Sequence, residues 1–227
     1  MIVAIDGTVC SGKSTVARLL AYNIGFRYVN SGAIYRAFTY KIIKANKQNA
    51  TEDELAVFLA GTQIDMQVVD GGKFKMIVDG IDITNEINLP YISQNVAIYA
   101  KLPSLRKIAK NHQYLLATTC DAVVEGRDIG TEVFPNAEVK FFMTADIDVR
   151  ANRRFLDYKK AGKNIPLEKV KEEIITRDKM DMEREISPLK PSKDAIIYYN
   201  NGSDVNAVIN ELSSIVLKKK KEGERVW

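Results

Sequence analysis

The sequence predicts an α/β fold: a five-stranded parallel sheet with helices on both faces, a small antiparallel insertion and a helical lid. Three observations carry this expectation. Short apolar runs alternate with helix-length amphipathic segments along the 227 residues, the pattern of a parallel sheet covered on both sides. The first run, Ile2 to Ile5, leads at once into Gly7-Thr-Val-Cys-Ser-Gly12-Lys13-Ser14 and then a helical pattern. That strand–loop–helix setting is what a phosphate-binding loop requires. Between residues 62 and 87 the hydrophobic period shortens to two, so a hairpin interrupts the βα order.

Taken in order, the first helix runs from about Ser14 to Ile24. Val16, Leu19, Leu20 and Ile24 form its apolar stripe, and Gly25 ends it. Phe26 to Asn30 is a short second strand, and Ser31 caps a helix whose stripe is Ile34, Phe38 and Ile42. Thr51-x-x-Glu54 is a capping box for a short helix that ends at Gly61. Two alternating runs, 64–69 and 73–78, flank the turn Asp70-Gly71-Gly72. This hairpin is expected at the periphery, because antiparallel strands can leave one face wet. Helical patterning resumes from Leu89 to Lys101. Pro103 then opens a long helix with Leu105, Ile108, His112 and Leu115 on one face, where His112 reads as a packed histidine. Ala122 to Glu125, Glu138 to Met143 and Ala195 to Tyr199 supply the remaining core strands, with helical segments at 146–161 and 167–186 between them. The last helix follows Ser203 and turns Val205, Val208, Ile209, Leu212 and Val216 inward.

Composition bounds the class. The length fits one domain with small insertions. Hydrophobic content of 46% and charged content of 27% are those of a soluble globular protein. No apolar run reaches the roughly 18 residues of a membrane span, and the chain opens on a strand rather than a secretory segment. Cys10 and Cys120 do not make a disulfide framework, and one histidine without a C-x-x-C gives no basis for a structural zinc site. These features point to the cytoplasm. The net charge of +4 traces to the run Lys218 to Lys221, which reads as a solvated basic tail rather than a nucleic-acid site.

Four constellations carry chemistry. In the first, Gly7 and Gly12 permit close approaches that a side chain would block, so the backbone N–H groups of Gly7, Thr8, Val9, Cys10, Ser11, Gly12, Lys13, Ser14 and Thr15 form an anion cradle. Lys13 would reach the β- and γ-phosphates and the Ser14 hydroxyl would ligate Mg²⁺. This is the loop of a P-loop NTPase fold, and it implies a nucleoside triphosphate bound with Mg²⁺. The second is Ser31-Gly-Ala-Ile-Tyr35-Arg36, a helix start with a guanidinium fork suited to a phosphate, or else a capped helix with an exposed arginine. The third is Glu125-Gly-Arg127-Asp128-Ile-Gly130-Thr131. Asp128 can accept a hydrogen bond from a base amino group and Arg127 can hold a phosphate or base edge; the bland alternative is an ion pair within a turn. The fourth is arginine on helices: Arg150, Arg153 and Arg154 share one face, as do Arg177, Asp181 and Arg184. The connection Lys159 to Pro166 between them reads as a flap. Same-face arginines are usually solvated ion pairs; next to a phosphate loop they read as phosphate contacts.

With these residues in place the chain resembles the cytidylate kinases, within the nucleoside monophosphate kinases, over about residues 1–216. The resemblance rests on Ser31 to Arg36, on Gly126 to Thr131, on Arg177-Asp-x-x-Asp181-x-x-Arg184 followed by Ser187-Pro-Leu189, and on Pro103 with Arg106. It implies a single kinase domain: a core at about 1–30, 100–150 and 167–217, a monophosphate-binding region with the inserted hairpin at 31–99, a lid at 151–166 and a basic tail at 218–227. It implies that Gly7 to Thr15 hold ATP. Ser31, Tyr35, Arg36, Arg127, Asp128, Arg177 and Asp181 would surround CMP, with Arg106 and Asp128 near cytosine and Asp181 toward the sugar. Arg150, Arg153, Arg154 and the flap would form the lid. Lys13, Arg153 and Arg184 would be the catalytic cations. The implied activity is direct in-line transfer from Mg·ATP to CMP or dCMP, by a monomer that meets small nucleotides and neither nucleic acid nor membrane.

Three positions depart from the family pattern. The loop lacks its usual proline and carries Cys10. Ala97 stands six residues before Pro103, where a base-contacting serine is frequent, and Ser93 lies one turn away; this opens the pocket to UMP. Asn200-Asn-Gly replaces a frequent Asp-Thr-Thr. The rival readings are a broader UMP/CMP kinase, another small-molecule P-loop kinase, a GTPase switch and a nucleic-acid module. The switch needs N-K-x-D, and Asn46-Lys47-Gln48-Asn49 ends in asparagine.

Overall fold

The computed structural model describes residues 1–224. In chain order the elements are β1 (Ile2–Gly7), α1 (Lys13–Ile24), β2 (Arg27–Asn30), α2 (Ser31–Lys44), α3 (Glu52–Ala60), β3 (Ile64–Val69), β4 (Lys73–Val78), β5 (Ile81–Asp82), α4 (Pro90–Ala100), α5 (Pro103–Ala117), β6 (Ala122–Glu125), β7 (Val139–Thr144), α6 (Ile147–Lys160), α7 (Leu167–Glu183), β8 (Ile196–Tyr199) and α8 (Val205–Glu224). The main sheet has the order β2-β6-β1-β7-β8, and every neighbouring pair is parallel. A second sheet, β3-β4-β5, is antiparallel.

β1 lies at the centre of the parallel sheet, and its alternation divides the core. Ala4 faces a layer with Ile34, Phe38 and Leu105. Val3 and Ile5 face the opposite layer with Val16, Leu20, Leu212 and Val216. Each such buried aliphatic or aromatic side chain contributes about 1.5–3 kcal/mol, which favours this register over a one-residue slip that would exchange the two layers. All five strands run the same way, so Gly7, Asn30, Glu125, Thr144 and Asn200 come to one edge of the sheet. Ligands in open parallel sheets bind at that edge.

The structure corrects several expectations. Asn30, not Ser31, caps α2: its side-chain oxygen accepts from the Ala33 N–H at 2.9 Å, and Ser31 is already helical. On α5 the buried face is Leu105, Ala109 and Leu116, while Leu115 is 70% exposed, because the stripe drifts with the true helical period. His112 packs edge-on to Phe38 at 5.7 Å, and burial pushes its imidazole below the usual range. Val205 is exposed at the start of α8, whereas Val208, Ile209, Leu212 and Val216 are buried. The inserted sheet is less peripheral than its pattern suggests: Met66, Met76, Val78 and Ile83 join the same apolar layer as α2 and α5. It also gains a two-residue strand, β5, too short to leave a period in the sequence. The lysine run belongs to α8, and Lys220 pairs at 2.7 Å with Asp121, which also holds the N-terminal ammonium. The solvated-tail reading therefore fails for that lysine, and 225–227 lie outside the described residues. Among the described residues no helix is long and apolar enough to cross a membrane.

Candidate active site

The loop between β1 and α1 is built as its glycines require. A Cβ on Gly7 would sit 2.0 Å from the Met143 carbonyl oxygen, and one on Gly12 would meet the Asn200 Nδ2 at 2.6 Å. Gly12 has φ 86, so the close approach and the left-handed backbone both select glycine. Cys10, at φ 58, adopts the same region without being glycine. Ser11 Oγ donates to the Thr8 carbonyl at 3.0 Å, and Asn200 Nδ2 donates to the Ser11 carbonyl at 2.8 Å. Asn200 thus braces the loop from the end of β8. Ser14 and Thr15 are both exposed in the first turn of α1.

Lys13 is buried and has neither a hydrogen bond nor an ion pair among the described residues. Burial, with Arg127 nearby, lowers its ammonium to about 8. Ser14 Oγ donates to Glu125 Oε2 at 2.9 Å, and Tyr28 donates to Glu125 Oε1 at 2.8 Å. Glu125 closes an apolar strand beside the loop, a signal present in the sequence that the motif reading left unused. On α2, Arg36 has no hydrogen-bond or ion-pair partner among the described residues, and its Nε is buried without one. Burial pulls its guanidinium down from the ordinary value, opposed by Glu125. A half-buried cation without a partner has part of its charge uncompensated, and an anion beside it would offset that cost.

Opposite these, two aspartates organise the arginines. Arg106 Nη2 contacts Asp128 at 2.5 Å, and Arg184 Nη2 lies 3.7 Å from the same carboxylate. Arg127 Nε donates to Asp181 at 2.8 Å, with Arg177 Nε at 3.9 Å from it. Asp128 is followed by a π-helical turn, 129–133, whose first N–H groups, from Ile129 and Gly130, donate to Asp6 at 2.8 and 2.7 Å. Burial raises the Asp6 carboxyl to about 6 despite those two bonds. Burial also moves the Tyr35 phenol up to about 12.

A cleft of about 720 Å³ joins these groups. Cys10, Lys13 and Ser14 line its loop end, and Ser31, Tyr35 and Arg36 line the α2 side. Arg106, Arg127, Asp128, Arg177, Asp181 and Arg184 line the rest of the polar wall. Ala97 is on the wall, and Ser93 is exposed away from it. Lys101 also lines the cleft and went unread in the sequence, for it sits in an unremarkable helix end.

The lid arginines are placed differently from expectation. Arg150 is buried in an ion pair with Asp178 and donates to the Val9 and Ala145 carbonyls, so it is not a phosphate contact. Helical spacing gives a face; it does not give the partner on that face. Arg153 donates to the carbonyls of Asn200 at 2.9 Å and Cys10 at 3.5 Å, behind the loop. Arg154 stacks over Tyr158 at 4.5 Å. Arg184 lies just past the end of α7, in extended backbone, rather than on the helix.

No group of three or more potential metal-ligating side chains occurs among the described residues. A Mg²⁺ held chiefly by phosphate oxygens and water needs no such cage, and the Ser14 hydroxyl beside the Glu125 carboxylate fits it.

A sequence model of the family described as cytidylate kinase matches residues 3–218. A cytidylate kinase of Bacillus licheniformis is 40% identical over 217 residues, covering 96% of each chain. The cytidylate kinase of Bacillus subtilis is 39% identical over 217 residues, again covering 96% of each. One from Lactobacillus johnsonii is 38% identical over 221 residues, covering 97% of this chain and 96% of its own. Among solved structures, an uncharacterized protein from Eubacterium ventriosum aligns with a TM-score of 0.50 at 15% identity, over 95% of this chain and 98% of that one, a likeness of fold.

Proposed function

The chain belongs to the cytidylate kinase family, and we propose that it transfers the γ-phosphoryl group of Mg·ATP directly to the phosphate of CMP or dCMP. One observation carries this reading. A single cleft runs from a buried, unpaired Lys13 in a phosphate loop to a half-buried, unpaired Arg36 and on to the aspartate–arginine wall. It offers two separate anion sites and one polar end, as two nucleotides meeting at their phosphates require.

In this reading the loop from Gly7 to Thr15 holds the donor phosphates and Lys13 offsets their charge. Arg36, with Ser31 and Tyr35 beside it, takes the acceptor phosphate. Asp128, oriented by Arg106, accepts from the exocyclic amino group of cytosine, and Asp181, held by Arg127, faces the sugar. The Ser14 hydroxyl and the Glu125 carboxylate would hold Mg²⁺, which supplies charge neutralisation at the β- and γ-phosphates. An acceptor phosphate oxygen forms the new bond to the γ-phosphorus while the bond to the β,γ-bridging oxygen breaks, and the electron pair leaves with ADP. The acceptor is already anionic, so no general base and no covalent enzyme intermediate is needed. Arg184, with Lys13, brings positive charge to the oxygens that carry the negative charge in the transition state, while Arg153 holds the back of the loop through the Asn200 and Cys10 carbonyls.

A broader pyrimidine reading has one observation in its favour: α4 presents the methyl of Ala97 to the cleft and no hydroxyl, since Ser93 points elsewhere. The test is ADP release from Mg·ATP with CMP, dCMP, UMP, AMP and GMP offered singly. Turnover with CMP and dCMP far above the purines is expected. UMP turnover rivalling CMP selects the broader reading, and no turnover with either pyrimidine contradicts both.

A further inference from the structure

Asp178 lies on α7 between Arg177 and Asp181, which both line the cleft, yet it is buried outside that lining, against the phosphate loop and α6. Its Oδ1 accepts from the Val9 N–H at 3.1 Å, and its Oδ2 takes the guanidinium of Arg150. Arg150 in turn donates to the Val9 carbonyl at 3.2 Å and, from Nε, to the Ala145 carbonyl at 2.8 Å. Both backbone polar groups of Val9 are therefore held by one buried ion pair that spans α6 and α7. The side chains agree with the backbone: Val9 and Cys10 pack against Ala151, Val170 and Ile174, the small apolar cluster between the same two helices. The next residue is Cys10, whose φ of 58 is a conformation that a non-glycine residue keeps only under restraint.

We propose that Asp178, paired with Arg150, is a positioning residue that clamps Val9 and thereby presets the phosphate loop for the donor nucleotide. The pair touches neither nucleotide. It acts by fixing the peptide before Cys10, so that the loop's N–H groups converge on the donor without rearranging when it arrives. Because α7 also carries Arg177 and Asp181, the clamp sets the distance between the donor loop and the acceptor wall. The inference rests on the donor reading of the loop given above.

The test titrates the full-length protein and its Asp178→Ala and Asp178→Asn variants with a Mg²⁺-bound, non-hydrolysable ATP analogue and, separately, with CMP. Melting temperatures are recorded alongside. Asp178→Ala removes both contacts and is expected to raise the donor Kd about tenfold or more while the CMP Kd stays within about twofold. Asp178→Asn keeps an oxygen for the Val9 N–H and loses the charge, so its donor Kd should rise by about threefold. Should the alanine variant fail to fold, the asparagine variant carries the same comparison. A merely structural ion pair would lower the melting temperature and leave the donor Kd unchanged, or weaken donor and acceptor in parallel; either result overturns the clamp. Failure of the wild-type protein to bind the donor analogue overturns the donor reading itself, and this inference with it.

Discussion

Lys13 shows how much of the site's chemistry sits in single buried charges. Its ammonium falls from 10.5 to about 8, chiefly through burial and then through Arg127. The folded protein thus binds fewer protons than the unfolded chain between about pH 8 and 10.5. The buried charge opposes folding below pH 8, and this opposition is relieved as pH rises through that window. Donor phosphates placed beside it would raise the pKa again, so donor binding should take up about half a proton at pH 8 and almost none at pH 6.5. Calorimetric titration in two buffers of different ionisation enthalpy reads this directly; buffer-independent heats at pH 8 would contradict it. Lys13→Ala should lower turnover by about a hundredfold or more while the fold remains. Arg36→Met, which removes the cation proposed to take the acceptor phosphate, should raise the acceptor KM by about tenfold or more and leave the donor KM nearly unchanged. At this scale the sequence was most legible where a motif fixes backbone geometry by spacing, as at Gly7 and Gly12, and it placed Lys13 and Arg36 where both line the cleft. It was least legible for Asp178 and Arg150, since buried pairing across two helices leaves no periodic trace.

Elements form where local signals agree with burial. The capping box at the start of α3 is complete: Thr51 accepts from the Glu54 N–H, and Glu54 accepts from the Thr51 N–H at 2.8 Å. Thr51→Ala should lower the melting temperature by about 2–4 °C with turnover unchanged, because α3 lies away from the cleft lining. Thermal melts with a parallel activity assay check both halves. The inserted hairpin announced itself by its period and its Asp-Gly-Gly turn, with Gly71 and Gly72 at φ 72 and 70. Its depth was not legible, for alternation shows that one face is apolar without showing what covers it. Here Met66 and Met76 meet the α2 layer, Phe74 packs edge-on to Tyr28 at 5.6 Å, and the Met66 sulfur accepts from the Asn30 N–H at 3.2 Å. The insertion therefore buttresses the start of the helix that carries Arg36. Boundaries were the weaker part at the end of α7 as well, where extended backbone at Arg184 turns that side chain onto Asp128.

Across the whole molecule, the five-stranded parallel order brings the phosphate loop, the Arg127–Asp128 turn and the end of β8 to one edge of the sheet. Alternating strands and helices made that architecture readable, because a parallel sheet forces its connections onto both faces. The order of the strands and the joining of the motifs into one cleft of about 720 Å³ are products of tertiary packing that no local pattern encodes. The central claim is that this one cleft passes a phosphoryl group directly between two nucleotides. The most direct measurement is a single turnover with γ-labelled Mg·ATP and CMP, following where the label goes. The label should appear in the β-phosphate of CDP at the rate ATP disappears, with none on the protein. Label released as inorganic phosphate at that rate, or trapped on the chain, would contradict direct transfer.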